Sequence, residues 1–473
     1  MEKASAELEL FAKSDGAAEA PSLNQQAADM ASPSSVDDEC SPGEQAPQQP
    51  HERPEGSPPR RRYYSVTAPA MPWFGIDIGG TLTKLVYFEP TDQDEFSESC
   101  INGEGERIRL IHSYLFGARA YGETGVRDHH LELPNVNING RVGTLHFIRF
   151  PTDRMDAFVT LVKAKKLAPM ISTVCATGGG AYKFGHLAEE AFDVHLHKFD
   201  EMESLIFGIE FVTRYCQTEC FFWEHPLNDS TCTKVFKEGL EYPYLVVNMG
   251  SGVSIIAVHG EGENNYRRVS GSSIGGGFFH GLCCLLCNCS TFEEAIELAA
   301  RGDNRKVDKL VRDIYGGDYN QCNLSGDTIA ASFGNMISAE RRSEASAADL
   351  ARSALVTVCN NIGSIALQCA ANEAIERIVF VGNFLRINPI ASRHLAYSMK
   401  YWSRGARKAL FMKHEGYFGA VGCLQNLVVT CAQERRERCG SKAQPPTRNL
   451  PEEEVEAAAL AAGAQSTTQN SST

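Results

Sequence analysis

Asp77-Ile78-Gly79-Gly80-Thr81-Leu82-Thr83-Lys84 brings a carboxylate, two glycines, a hydroxyl and an ammonium into one short stretch. Gly79 and Gly80 lack Cβ atoms, so backbone N–H groups can approach an anion closely there. Thr81 adds a hydroxyl donor, Lys84 a positive charge, and Asp77 a carboxylate able to hold a hydrated Mg²⁺. That set suits the polyphosphate of a nucleotide. The flanking apolar runs, Phe74-Gly75-Ile76 and Leu85-Val86-Tyr87-Phe88, make the stretch a strand–turn–strand hairpin. An ordinary hairpin with no ligand is the alternative reading. A Walker loop is excluded, because no Gly-Lys-Ser/Thr follows a four-residue spacer.

Tyr244-Leu-Val-Val-Asn-Met-Gly-Ser-Gly-Val-Ser-Ile-Ile-Ala-Val258 repeats the pattern of strand, glycine turn and strand. Ser251 and Ser254 supply hydroxyls, and Gly250 and Gly252 supply open backbone amides. Arg267 and Arg268 follow on the next expected strand, where a guanidinium could steady a phosphoryl group in transfer. Gly271-Ser-Ser-Ile-Gly-Gly-Gly277 then leads into a helix, a further phosphate or adenosine contact. Two such hairpins imply two related lobes facing each other across a nucleotide cleft.

The elements that must position these residues alternate between strand and helix. Ile171 to Gly180 is a buried strand ending in three glycines, the kind of carboxyl edge at which α/β proteins bind ligands. His195 to Glu201 alternates and runs into a helical pattern from Met202 to Tyr215. Asp200 and Glu201 therefore sit at a strand-to-helix junction. Such a pair reads as an N-cap beside a solvated charge, or as a rigidly held general base next to an anion site. Further helices are expected from Asp153 through Leu167, over 291–301 behind a Thr291/Glu294 capping box, and over 347–371; Met412 to Gly422 opens the last one. The strand Arg377 to Phe384 carries a Gly382-Asn383 turn that offers another nucleotide contact. Cys283, Cys284, Cys287 and Cys289 lie among leucines and have no second ligand pair, so they read as core rather than a metal site.

Composition narrows the function classes. A net charge of −14 disfavours nucleic acid as a partner, since phosphate backbones repel such a surface. No apolar stretch approaching the roughly 20 residues of a membrane span stands out. The N-terminus carries no signal-peptide pattern, so the sixteen cysteines read as reduced thiols of an intracellular protein. The expected compartment is the cytoplasm. Arg60-Arg61-Arg62 reads as part of a solvated linker, with a fragment of a nuclear address as the alternative, and the acid-rich tail is a poor mitochondrial presequence. Low aliphatic content makes 1–70 a disordered extension, and 434–473 a disordered tail. The folded part divides into a first lobe at 71–243 and a second at 244–433.

The expected fold is thus α/β, with two lobes resembling the actin, hexokinase and Hsp70 nucleotide-binding superfamily. Within it, Asp77-Ile-Gly-Gly-Thr, Cys175-Ala-Thr-Gly-Gly-Gly-Ala-Tyr-Lys-Phe184, His195-Leu-His-Lys, Asn248-Met-Gly-Ser-Gly-Val-Ser254, Asp313-Ile-Tyr-Gly-Gly-Asp-Tyr319 and Val381-Gly-Asn-Phe-Leu-Arg386 resemble the eukaryotic (type II) pantothenate kinases, over about 72 to 430. The resemblance implies ATP- and Mg²⁺-dependent phosphorylation of the 4′-hydroxyl of pantothenate. It implies Glu201 as general base, with Gly79, Gly80, Thr81 and Lys84 around the ATP phosphates. Ser251, Ser254 and Arg268 match substrate and acyl-CoA contacts. Family members are homodimers inhibited by acetyl-CoA, with a dimer interface in the second lobe and a tryptophan matched by Trp402 on the partner side. Pseudokinase members lack the glutamate and the arginine and carry a fused phosphatase domain. This chain keeps Glu201 and Arg268, with some 40 residues beyond the last helix. Asp327 and His280 depart from the pattern, where apolar residues are expected. A sugar kinase of the superfamily and a nucleotide- or acyl-CoA-sensing scaffold are the alternatives.

Overall fold

The computed structural model describes residues 73–91, 109, 125–138, 140–154, 173–181, 196–262, 264–386, 388–426 and 428. Both expected tails and the helix expected from Asp153 through Leu167 lie outside these, apart from the short turn at Thr152–Arg154.

In the first lobe the strands are β1 (Trp73–Ile78), β2 (Leu82–Pro90), β3 (Val126–Arg127), β4 (Leu133–Ile138), β5 (Arg141–Pro151), β6 (Thr173–Thr177) and β7 (Leu196–Lys198). They form one sheet in the order β3-β5-β2-β1-β6-β7, with β4 beside β5. The second lobe contributes β8 (Cys220–Glu224), β9 (Thr233–Lys237), β10 (Tyr244–Met249), β11 (Val253–Val258) and β12 (Tyr266–Ser272). After a small ribbon of β13 (Lys309–Leu310) and β14 (Ile329–Ala331) come β15 (Arg377–Val381) and β16 (Ala409–Met412). The second sheet runs β12-β11-β10-β15-β16-β8-β9. β8 and β9 precede residue 243 yet pair into this sheet, so sheet membership changes between β7 and β8 and not at the 243/244 boundary drawn from sequence.

The plan repeats. In each sheet an antiparallel hairpin meets a parallel strand on its first member: β1 pairs β2 and β6, and β10 pairs β11 and β15. β10 is buried on both faces, which is why Tyr244-Leu-Val-Val reads as a continuous apolar run. One face joins Val246 to a core shared with Trp73, Phe88 and Phe147 of the first sheet. Between the sheets in this core lie helix α1 (Glu201–Tyr215), through Ile206 and Ile209, and the helix at 418–426, through Phe418 and Leu424. The other face packs Val247 and Phe380 on helices α2 (Gly276–Cys287), α4 (Ala347–Asn372) and α5 (Pro389–Trp402). Helix α3 (Phe292–Arg301) begins with the expected Thr291/Glu294 capping box. The helix at 418–426 is here α6; it starts after a turn at 413–417, since Met412 ends a strand rather than opening a helix.

Two sequence expectations change. α4 is long and apolar enough to cross a membrane by length and composition. It is instead the central helix of the second core, burying Leu355, Val358 and Ile362 together with the polar Asp349 and Arg352. The cysteine-rich helix α2 is core on one side only. Cys283 is buried, whereas Cys284 is exposed and Leu285 is 80% exposed. No group of three or more metal-ligating side chains occurs among the described residues.

Candidate active site

β1, β6, β7, β10 and β15 all end at the same cleft, and the glycine turns follow from those ends. In the first lobe, Asp77 pairs across the sheet with Thr177 on one side and Lys84 on the other, and Lys84 in turn with Arg149. Directly opposed residues share a face, so these four form one polar row at the cleft end of an otherwise apolar face. Lys84 Nζ donates to Asp77 Oδ2 at 3.0 Å, both side chains being largely buried. Gly178, held at φ +84°, and Gly419 of α6 keep space open around the Asp77 carboxylate. A Cβ on Gly178 would lie 2.7 Å from Asp77 Oδ1, and one on Gly419 3.2 Å from Oδ2.

The glycine turn is held from β5. Thr152 donates its backbone N–H to the Thr81 carbonyl and its hydroxyl to the Gly79 carbonyl. These bonds leave Gly80 and Thr81 facing the second lobe. There the Thr81 and Ser251 hydroxyls meet at 2.9 Å, so the two hairpin turns do confront each other. Behind Ser251, the amides of Gly276 and Gly277 at the start of α2 bond the Gly250 and Ser251 carbonyls. Gly382, at φ +105°, lets the turn after β15 lie against Met249 and Asn248; a Cβ there would be 2.5 Å from the Met249 carbonyl.

Of the two roles the sequence left open at this junction, capping falls to Asp200. Asp200 is the N-cap of α1, its Oδ1 accepting from the Met202 and Glu203 amides at 2.9 Å. Glu201 is thereby freed from capping. It is open to solvent on one side, and the flanking protein still raises its carboxyl above the ordinary glutamate range. Lost hydration is the largest cause, Asp77 adds to it, Lys84 opposes it, and Asp200 adds a little more. Glu201, Asp77 and Lys84 are therefore close enough to interact, which joins α1 to the first glycine loop.

Arg268 is exposed on β12; its Nε donates to Ser254 Oγ at 3.0 Å and its terminal nitrogen lies over Gly271. Arg267 turns elsewhere, to Glu373. Gly79, Gly80, Thr81, Lys84, Glu201, Ser251, Ser254 and Arg268 thus line the facing ends of the two sheets. Trp402 does not join them. It ends α5, which runs back from the carboxyl end of β15 towards the amino end of β16 and so carries Trp402 to the opposite edge of the second sheet. There its ring stands edge-on to Tyr401, whose hydroxyl bonds Thr328. His280 in α2 lies edge-on to Phe292 of α3, and Asp327 pairs with Arg312 near the surface.

Sequence reasoning missed Arg149, Asp128, Tyr417 and any role for Arg386. The available signal was the phase of β5: Leu145 and Phe147 are buried on the face that Arg149 continues. Asp128 Oδ2 accepts from Arg149 Nε at 3.0 Å and from the Tyr417 hydroxyl at 2.5 Å, a bond between the lobes.

The class defined by this fold and cleft is the two-lobed actin, hexokinase and Hsp70 type of nucleotide-binding protein. A solved structure of similar outline is the activator of the 2-hydroxyisocaproyl-CoA dehydratase from Clostridium difficile with bound ADPNP; it is 12% identical, with a TM-score of 0.38, over 78% of this chain and 98% of that one. Within the class, residues 73–426 match the Fumble family, and the chain belongs to that family, the pantothenate kinase family. It is 39% identical to pantothenate kinase 1 of Arabidopsis thaliana, over 73% of this chain and 83% of that protein. It is 36% identical to the 4′-phosphopantetheine phosphatase of Mus musculus, over 74% of this chain and 40% of that protein. The chain spans about two fifths of the length of three curated relatives it matches.

Proposed function

We propose that this protein transfers the γ-phosphoryl group of ATP to the 4′-hydroxyl of pantothenate, the committed step towards coenzyme A. The observation that carries this reading is Glu201, a carboxylate released from capping by Asp200 and set beside Asp77 and Lys84 of the first glycine loop.

The amides of the Gly79–Gly80 turn and the Thr81 hydroxyl receive phosphate oxygens from one side, and the Gly250–Gly252 turn from the other. The amino ends of α1, α2 and α6 open towards the same cleft and favour negative charge there. Ser251, Ser254 and Arg268 orient the acceptor, with Arg268 braced by Ser254. Glu201 accepts the hydroxyl proton as that oxygen attacks phosphorus, and Lys84 offsets charge on the transferred group. Mg²⁺ takes one or two carboxylates and keeps several waters. The Asp77 carboxylate, kept clear by Gly178 and Gly419, fits such an ion, which would neutralise phosphate charge when bound. Positioning supplies most of the acceleration, because phosphoryl transfer asks little covalent chemistry of the protein.

Feedback inhibition by acetyl-CoA, a homodimer with Trp402 reaching the partner's cleft, and a cytoplasmic location complete the proposal. A tryptophan remote from its own chain's cleft is what a cross-subunit contact requires. The test is pantothenate-dependent ADP release by the purified chain and by Glu201→Ala, each with and without acetyl-CoA. Turnover that falls on the order of 10²-fold or more in the variant supports kinase and base together. ATP binding without turnover by the wild type overturns the reading in favour of a sensing scaffold, and glucosamine-dependent ADP release would make it a sugar kinase.

A further inference from the structure

Beyond the row at the first glycine loop, two arginines approach each other from opposite lobes. Arg149 stands next to Lys84 in register on the same sheet face, three residues before the Thr152 that holds the Gly79–Thr81 turn. Its side chain is 20% exposed. Nε is spent on Asp128, and among the described residues no side chain or carbonyl accepts from its two terminal amino groups. Arg386 follows the Gly382-Asn383 turn beside the second loop. Its Nε donates to Asn383 at 3.0 Å and one terminal nitrogen reaches Glu293 at 3.4 Å. Its side chain is only 12% exposed. The two guanidinium groups lie near enough for Arg149 to disfavour the charge on Arg386, after burial as the main cause.

The protein's own anions answer this charge incompletely. Asp128 favours the charge on Arg386 from nearby, but its Oδ2 already accepts from Tyr417 and from Arg149. Glu293 is half exposed at the rim and screened by water. Two repelling cations on opposite lobes, Arg149 with both terminal amino groups unbonded among the described residues and Arg386 with one, are suited to a multi-oxygen anion, which a guanidinium fork binds in a bidentate way. Glu201 and Lys84 are already assigned to the attacking hydroxyl and the transferred group, which leaves Arg149 and Arg386 for the phosphates that stay on the nucleotide.

Resting on the kinase reading, we propose that Arg149 and Arg386 grip the non-transferred phosphates of the nucleotide from opposite lobes, a clamp that draws the lobes together on ATP. Each arginine braces the loop of its own lobe, Arg149 through β5 and Arg386 through Asn383. Bound nucleotide replaces their mutual repulsion with attraction to a common anion.

The experiment is calorimetric titration of the whole chain, and of Arg149→Gln, Arg149→Lys and Arg386→Gln, with ADP and separately with adenosine. The expected result is ADP affinity lowered about tenfold or more in each Gln variant, the scale of one lost charge-assisted contact, with adenosine affinity unchanged. Arg149→Lys should recover only part of the loss, since an ammonium lacks the fork. In turnover assays KM for ATP should rise while KM for pantothenate stays within about twofold. ADP and adenosine weakened equally would mean a structural pair serving Asp128, and overturns the clamp. ADP affinity within twofold of wild type overturns it too, as does a wild type that binds no ADP. Should the Arg149 variants fail to fold, Arg386→Gln decides alone. ADP binding needs no acceptor, so a chain that binds ADP through these arginines yet never phosphorylates pantothenate would sink the substrate reading and leave the clamp standing.

Discussion

One pair back from each glycine turn, the first lobe places Asp77 opposite Lys84, and the second places Asn248 opposite Ser254. The next strand out adds Arg149 in the first lobe, and Gly271 in the second, with Arg268 lying over it. The parallel neighbour is Thr177 in one and Val381 in the other. Backbone and register are thus repeated while the charge is not. The first lobe holds an ion pair and, through α1, a carboxylate; at the same positions the second offers hydroxyls and amides, with Arg268 facing solvent and Arg386 further along the turn after β15. A duplicated frame thus carries an ion pair at one glycine turn and neutral hydroxyls and amides at the other.

The most direct way to break this division is to give the first lobe the residue type of the second. Asp77→Asn should lower pantothenate-dependent turnover by 10²- to 10³-fold, the usual scale for removing an electrostatic group from such a site. A rate within tenfold of wild type would show the ion pair to be structural. The reverse exchange, Asn248→Asp, sets a carboxylate beside a loop meant for anions, and ATP KM should rise about tenfold with the fold intact by thermal melting. An unchanged KM would mean that phosphate never comes near the second loop.

Acidity sharpens the contrast further. Glu201 must be ionised to act as base, and its folded pKa is raised, so activity is full above that pKa and falls as pH drops through it. The acid limb of kcat/KM should therefore lie above the ordinary glutamate range. In the residual activity of Asp77→Asn it should move to lower pH, because one raising charge is gone. A limb that stays put would assign it to another group. Ser251→Ala, which removes the 2.9 Å contact between the loops, should have the smallest effect, a few-fold loss corresponding to about 1 kcal/mol for an exposed hydrogen bond.

Much of this site could be read from strand phase. Trp73 and Gly75 share a face with Asp77, Phe88 and Val86 with Lys84, and Tyr244 and Val246 with Asn248. A polar residue closing an apolar phase, just before a glycine turn, marks the cleft end of a buried strand. Leu145 and Phe147 before Arg149 obey the same rule, but no glycine turn follows and the arginine passed unnoticed. Asp128 and Tyr417 were hidden for another reason: their bond joins distant parts of the chain, and no local pattern records it. The place of β8 and β9 was likewise a matter of pairing partners, since β8 zips to β16 from the far end of the sequence. Trp402 shows the reverse limit, where a matched residue type could be named but not the edge of the sheet that carries it.

Helix α6 sits against β1 and α1 through residues that leave no room for a side chain. A Cβ on Gly75 would fall 2.1 Å from the Ala420 carbonyl, one on Gly208 1.9 Å from that of Phe418, and one on Gly422 1.8 Å from that of Ser204. The first sheet is made early on the ribosome, and the helix that covers its apolar face emerges only after the whole second lobe. Until then Trp73, Val86, Phe88 and Phe147 have no complete cover, and their contacts close over long sequence separations. The core of the amino-terminal lobe is therefore the last to be closed as the chain is made.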